Sequence, residues 1–202
     1  MKRKDIKFIV FMLLGILAFT SCDETSESGE YDNWQQRNIQ YIDSIAGVAR
    51  TNADGTWKVI LAEGLNDDGE LWSNEYYVYC KVLQQGSGTV SPHYNDSVLV
   101  NYRGRLIPSR TYKDGYVFDE SYDGEFDANF DVPQKLNLAG CVRGWITAMQ
   151  EMVQGDTWRV YIPANLGYGA SDRSKIPAYS TLIFDINLVR FAPVGTPLIS
   201  KN

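Results

Sequence analysis

A chain of 202 residues, 44% hydrophobic, 22% charged and 13% aromatic, is long enough to bury one domain-sized core and too rich in rings to be disordered over most of its length. One histidine and three cysteines cannot furnish a Cys/His zinc cluster, and a serine–histidine triad would have to run through His93, which sits in a turn. The net charge of −6 disfavours nucleic acid and anionic lipid as partners.

Residues 1–7 are basic, Phe8 to Phe19 are apolar, and the chain then turns to Thr20-Ser21-Cys22. Twelve apolar residues fall short of the roughly 20 that span a bilayer, but they have the length and flanks of a signal-peptide core. Phe19-Thr20-Ser21-Cys22 resembles a bacterial lipobox, with phenylalanine where leucine is usual. The expectation is a signal peptide over 1–21, a palmitate-type lipid on Cys22, and an envelope lipoprotein held at the membrane, the outer membrane being the expected one. Cleavage removes four positive charges and one negative, leaving 15 and 24, a net of −9. Residues 22–32 are acidic and small, and read as a flexible tether. Their acidity also resembles the surface-export tags of some lipoproteins.

Asn33 to Arg50 carries Trp34, Ile39, Tyr41, Ile42, Ile45 and Val48 at spacings near three and four, which predicts one amphipathic helix ending around Gly47. Its apolar face packs on the main body or on a second copy, the latter giving a homodimer. Asn52 to Gly55 and Asn66 to Gly69 are turn signals around Trp57 to Leu61. The second is acidic but lacks the ligand spacing of a calcium loop, so a plain turn is expected. Residues 33–74 thus form an N-terminal extension.

From Glu75 the pattern becomes short β segments: 75–83, 97–103, 133–138, 157–162 and 181–191. Apolar side chains recur every second residue in Val98 to Tyr102 and in Leu182 to Leu188, so each strand buries one face. Trp145, Ala148, Met149 and Met152 share one side of a helix over 145–152, and Gly155 follows as a stop. The predicted class is α+β: a curved antiparallel sheet of about five to six strands wrapped on one short helix, with an N-terminal helical extension.

Val100 to Leu106, Asp114 to Asp119, Val142 to Trp145, Met152 to Gly155, Ile162-Pro163, Tyr168-Gly169, Ile176-Pro177 and Thr181 to Phe184 follow one another in an order and spacing that resembles the FKBP-type peptidyl-prolyl cis/trans isomerases. The likeness spans about residues 75–191, implying an isomerase domain over 75–192 and a C-terminal tail over 193–202. It implies a hollow floored by Trp145 and walled by Tyr102, Phe118, Val142, Ile176 and Phe184, with Asp119 and the Tyr168 hydroxyl at its rim. Leu136 and Cys141 would also meet substrate, and the Val142 N–H would donate to it. By spacing alone, these are core side chains. The implied partners are proline-containing polypeptide clients, with no cofactor and no metal.

Three departures stand out. Gln134-Lys135-Leu136 replaces the family's aromatic-x-aromatic pair, which puts macrolide affinity and turnover in question. Ile107 to Lys113 is an insertion, and Asp123 to Asp131 an acidic, elaborated loop whose Phe126 or Phe130 is a candidate replacement wall. The loop 169–175 is short and charged, so substrate choice is expected to differ. The alternative function is a weakly active or inactive binding lipoprotein on the same fold. Cys80 and Cys141 are expected to be free thiols.

Overall fold

A computed structural model describes residues 29–69 and 72–198. The predicted signal peptide, lipobox and Cys22 lie outside the described residues, as do most of the tether and the last four residues of the tail.

Helix α1 (Trp34–Thr51) precedes strand β1 (Trp57–Leu61), and a single-turn helix (Asn74–Tyr76) leads into β2 (Tyr77–Gln84). Strands β3 (Ser97–Arg105), β4 (Val117–Glu120) and β5 (Gln134–Asn137) follow, then α2 (Arg143–Met149), β6 (Thr157–Ile162) and β7 (Leu182–Ala192). All seven strands join one antiparallel sheet in the order β1-β2-β6-β7-β3-β4. β4 and β5 share the outer edge of β3: β4 pairs with residues 103–105 and β5 with 97–100. The loop 121–133 therefore leaves the sheet and returns to the same edge.

The sheet is two-faced because its strands alternate. Val98, Val100, Tyr102, Val160, Ile162, Leu182, Phe184, Ile186 and Leu188 are buried on the inner face, against α2. The outer face carries Asp185, which accepts from Arg159 Nε at 2.6 Å and from Arg105. It also carries Tyr79 and Tyr161, over which α1 lies. Tyr161 stacks on Trp57 with centroids 5.7 Å apart and meets Tyr41 of α1 at 6.4 Å, while Arg50 covers Tyr77 at 5.4 Å. The apolar face of α1 is thus seated on the protein's own sheet.

Three helix boundaries differ from expectation: the end of α1 and both ends of α2, which stops at Met149 short of Met152. α1 runs through Gly47 to Thr51 and stops at Asn52, whose left-handed backbone lets its N–H reach Val48 O at 3.0 Å. Its buried stripe is Trp34, Asn38, Ile42, Ala46 and Ala49, leaving Val48 outside. Alanines suit a helix that sits close above upright tyrosines. α2 begins earlier than predicted, at Arg143, because Val142 already adopts the extended conformation of a helix cap. The sheet exceeds the five to six predicted strands because β1 and the short β4 both join it.

The extension is tied in on both faces. β1 pairs with β2 over five residues. Beyond it, the Glu63 N–H donates to Thr147 Oγ1 at 2.9 Å and Arg143 Nε donates to Glu63 O at 2.8 Å, fastening the turn after β1 to α2.

Burial raises the pKa of several groups in these layers. Tyr41 and Tyr79 are each pushed up to about 12, from 10, and the Cys80 thiol is raised as well. A raised acid is neutral in the folded state after it has ionised in the unfolded one, so the stability it contributes is intact below pH 10 and lost as pH rises toward 12. Urea denaturation followed by circular dichroism should give a constant midpoint from pH 7 to 9 and a falling one from about pH 10 upward. A midpoint flat to pH 12 would contradict this account.

Candidate active site

Four rings meet on the inner face where β3, β4, β7 and α2 converge. Phe184 of β7 is central: its centroid lies 5.3 Å from Trp145, 5.4 Å from Phe118 and 6.3 Å from Tyr102, at interplanar angles of 86°, 87° and 60°. Tyr102 and Trp145 are themselves edge-to-face at 5.6 Å and 89°. Ring quadrupoles favour this geometry, worth about 0.5–1.5 kcal/mol per pair beyond burial. The four rings and Ile176 keep 4–7% of their surface exposed, whereas Val160, Ile162 and Met149 behind them keep none. The cluster therefore forms the skin of the core, with ring surface turned outward.

Polar groups border these rings. Tyr102 Oη donates to Asp119 Oδ2 at 2.8 Å, joining β3 to β4. Burial first, and the Asp119 acceptor second, hold the phenol far above its usual ionisation range, so it stays a donor. Cys141 and Tyr168 are within electrostatic range of the same hydroxyl. Cys141 is half-buried, which raises its thiol, and Cys80 is fully buried; both are free.

Val142 lies at the start of α2, where its carbonyl accepts from the N–H of Trp145 at 2.9 Å and of Ile146 at 3.2 Å. Among the described residues, none accepts from the Val142 N–H. An unpaired donor is thereby fixed one turn from the indole. Tyr168, 38% exposed, has the Arg173 guanidinium 5.1 Å above its ring. The loop that follows is closed by paired hydrogen bonds between Arg173 and Ile176.

The side formed by β5 has no ring. Gln134 is exposed and Leu136 half-buried. Neither candidate replacement takes the position: Phe126 packs on Tyr122 at 5.2 Å, and Phe130 is 83% exposed. Among the described residues, no group of three His, Cys, Asp or Glu side chains is placed to share a metal ion.

Gly104 is a functional position that sequence reading passed over. A Cβ there would stand 2.6 Å from Phe118 Cε2 and from Phe184 Cε1, too close for any contact. A glycine inside an otherwise bulky strand signals such a close approach.

An antiparallel sheet folded against one short helix, with four rings gathered at the surface of the core where that helix begins, defines an α+β domain. Residues 88–189 match the family described as FKBP-type peptidyl-prolyl cis-trans isomerase. The "Macrophage infectivity potentiator" of Trypanosoma cruzi is 32% identical over 93% of this chain and 84% of its own length. The "Outer membrane protein MIP" of Legionella longbeachae is 38% identical over 54% of this chain and 42% of its own. A solved isomerase from Pseudomonas syringae superposes with a TM-score of 0.54 at 26% identity, over 78% of this chain and 96% of that one. The chain belongs to the FKBP-type peptidyl-prolyl cis-trans isomerase family. It spans 42–53% of the length of several bacterial relatives that it matches.

Gly104→Ala should push Phe118 and Phe184 apart, costing about 1–3 kcal/mol as overpacking does. Isomerisation of a proline tetrapeptide should fall roughly tenfold in protein that is still folded by near-ultraviolet circular dichroism. Unchanged activity would show that ring spacing is not critical.

Proposed function

We propose that this chain is a peptidyl-prolyl cis/trans isomerase of the cell envelope that assists the folding of proline-containing clients, with the Trp145 hollow as its site. The edge-to-face cluster of Trp145, Phe184, Tyr102 and Phe118 carries this reading.

Rotation about an X-Pro bond passes through a twisted amide that has lost resonance, over a barrier of about 18–20 kcal/mol. No covalent bond breaks, so no acid, base or nucleophile is required. The planar amide is the more polar form and loses more when stripped of water, so a ring-walled hollow raises it relative to the twisted form. Trp145 and Phe184 receive the pyrrolidine ring, with Phe118 and Ile176 as walls and Leu136 and Cys141 at the margin. The Val142 N–H donates to a client carbonyl and holds the chain in a turned geometry. Tyr102 fixes Asp119 at the rim, and the Tyr168 hydroxyl offers a further polar contact. Raising an uncatalysed rate of roughly 0.01 per second to about 10 per second takes about 4 kcal/mol of differential binding. Desolvation, orientation and two hydrogen bonds are sufficient in kind for that.

The envelope location rests on the lipobox at residues 19–22 and on a relative named as an outer membrane protein. Lipidated Cys22 anchors the chain, and residues 22–32 act as its tether. Among the described residues no helix is long and apolar enough to cross a membrane.

The wild-type protein should accelerate isomerisation of a proline tetrapeptide well above buffer. Phe118→Ala and Asp119→Val should each lower kcat/KM about tenfold or more, the share of one contributor among several. A wild-type rate equal to buffer would leave a binding module. In cells fed labelled palmitate, the wild type should take up label and Cys22→Ala should not; equal labelling would refute the anchor.

A further inference from the structure

An open groove of about 440 Å³ is lined by Tyr31, Tyr112, Tyr116, Asp172, Arg173, Lys175 and Ile176. That size falls within the roughly 300–1,000 Å³ of typical ligand sites. Ile176 lines this groove and is the residue that the isomerase reading assigns to a wall of the proline site, which sets the groove next to that site.

The groove is held open by elements outside the ring cluster. Tyr112, on the insertion after β3, and Tyr116, just before β4, meet edge-to-face at 4.9 Å. Tyr31 packs edge-to-face on Trp34 at 5.0 Å, and Trp34 Nε1 donates to Ser180 Oγ at 2.8 Å. Ser180 Oγ in turn donates to Pro177 O at 2.6 Å, just after Ile176. On the other wall Thr111 Oγ1 donates to Glu30 Oε2 at 2.5 Å. The segment Glu30–Trp34 therefore braces both walls at once.

The charges in the groove are unbalanced. Asp172 is occupied by the Ala178 N–H at 2.7 Å, and Glu30 by Thr111. Among the described residues neither Arg173 nor Lys175 is in an ion pair. Two cations outside any ion pair, set against the one carboxylate of Asp172, leave the groove lining with a net charge of +1 beside three phenol rings, on a chain of net charge −6.

We propose that this groove is an extended subsite that receives the residues flanking the client's proline and selects for aspartate or glutamate among them. The proposal rests on the isomerase reading for the position of the proline and adds which clients are preferred. Tyrosine faces supply apolar contact along the client chain, and Arg173 and Lys175 pair with its acids.

The test uses fluorescein-labelled eight-residue peptides with one central proline, flanked on either side by Glu-Glu or by Lys-Lys. Affinity is read by anisotropy at low and at high salt, and turnover of an unflanked tetrapeptide is measured separately. Wild type should bind the Glu peptides roughly three- to tenfold more tightly at low salt, although the chain's overall charge favours Lys, and the difference should shrink in high salt. Lys175→Glu should abolish or invert the preference and leave the tetrapeptide rate unchanged. Lys81→Glu, the same charge change at a distant strand, should leave the preference intact. Equal wild-type affinities for the two series, or the same loss in Lys81→Glu as in Lys175→Glu, would overturn the groove proposal whether or not the protein turns over substrate. Absent tetrapeptide turnover would instead overturn the isomerase reading, while the binding preference would still be read.

Discussion

Phe184 touches three rings that arrive from three other elements, and the geometry of the ring cluster depends on that convergence. β7 supplies it at an inward position directly opposite Gly104 of β3 and Val160 of β6. The missing side chain at Gly104 lets the Phe118 and Phe184 rings close over the strand. A second glycine acts the same way under the indole: a Cβ on Gly144 would lie 2.3 Å from Ile162 Cγ2, so only glycine lets α2 descend far enough to bring Trp145 to Phe184. Two absent side chains thus set the depth of the site, and the large ones then fill the space that remains. Aromatic rings are suited to this because they offer wide, stiff surfaces that lose little rotamer freedom when held.

That division explains which parts were legible from sequence. Leu182 to Leu188 announces its strand because, from Phe184 on, buried apolar residues alternate with the less buried Asp185 and Asn187, although Ile183 is buried too. Trp57 to Leu61 shows no such rhythm. Trp57 and Val59 face the α1 side while Ile60 faces the α2 side, and a strand covered on both faces loses its period of two. β4 is four residues long with two exposed acids, too short to carry a pattern at all. The ring residues were legible only through their family motif, since spacing alone reads them as core. They are indeed core on one side. What sequence cannot convey is the few per cent of surface that separates a ring at the skin of a core from one beneath it.

Loss of the aromatic at Gln134 bears on shape more than on polarity. β5 runs along the β3 edge with three of its four residues exposed, so this strand brings no ring to the cluster. The loop to Ile176, by contrast, is closed by its own hydrogen bonds and braced by Ser180 and Trp34. Aromatic coverage has been reduced at β5, while the side nearest the tyrosine groove is built up. A site without a ring at β5 loses ring contact for a compact ligand and gains room for an extended chain to leave the proline position.

The N-terminal helix makes this arrangement possible through the outer face of the sheet. Tyr161, Tyr79 and Trp57 would present a broad aromatic surface if α1 were absent, and exposed patches of that kind favour association or aggregation. Covering them in place leaves α1 with an outward side of glutamines, Asp43, Ser44 and Gly47, where Val48 is the one large apolar residue exposed. Seating is specified by polar contacts as well. Asn38, fully buried, accepts from the Thr181 N–H at 2.7 Å while donating to Trp34 O at 2.7 Å. A one-residue slip of the helix would strand that amide without partners, at about 1–3 kcal/mol for each unsatisfied group. The register of α1 is therefore coupled to the start of β7, and Phe184 lies three residues further along that strand.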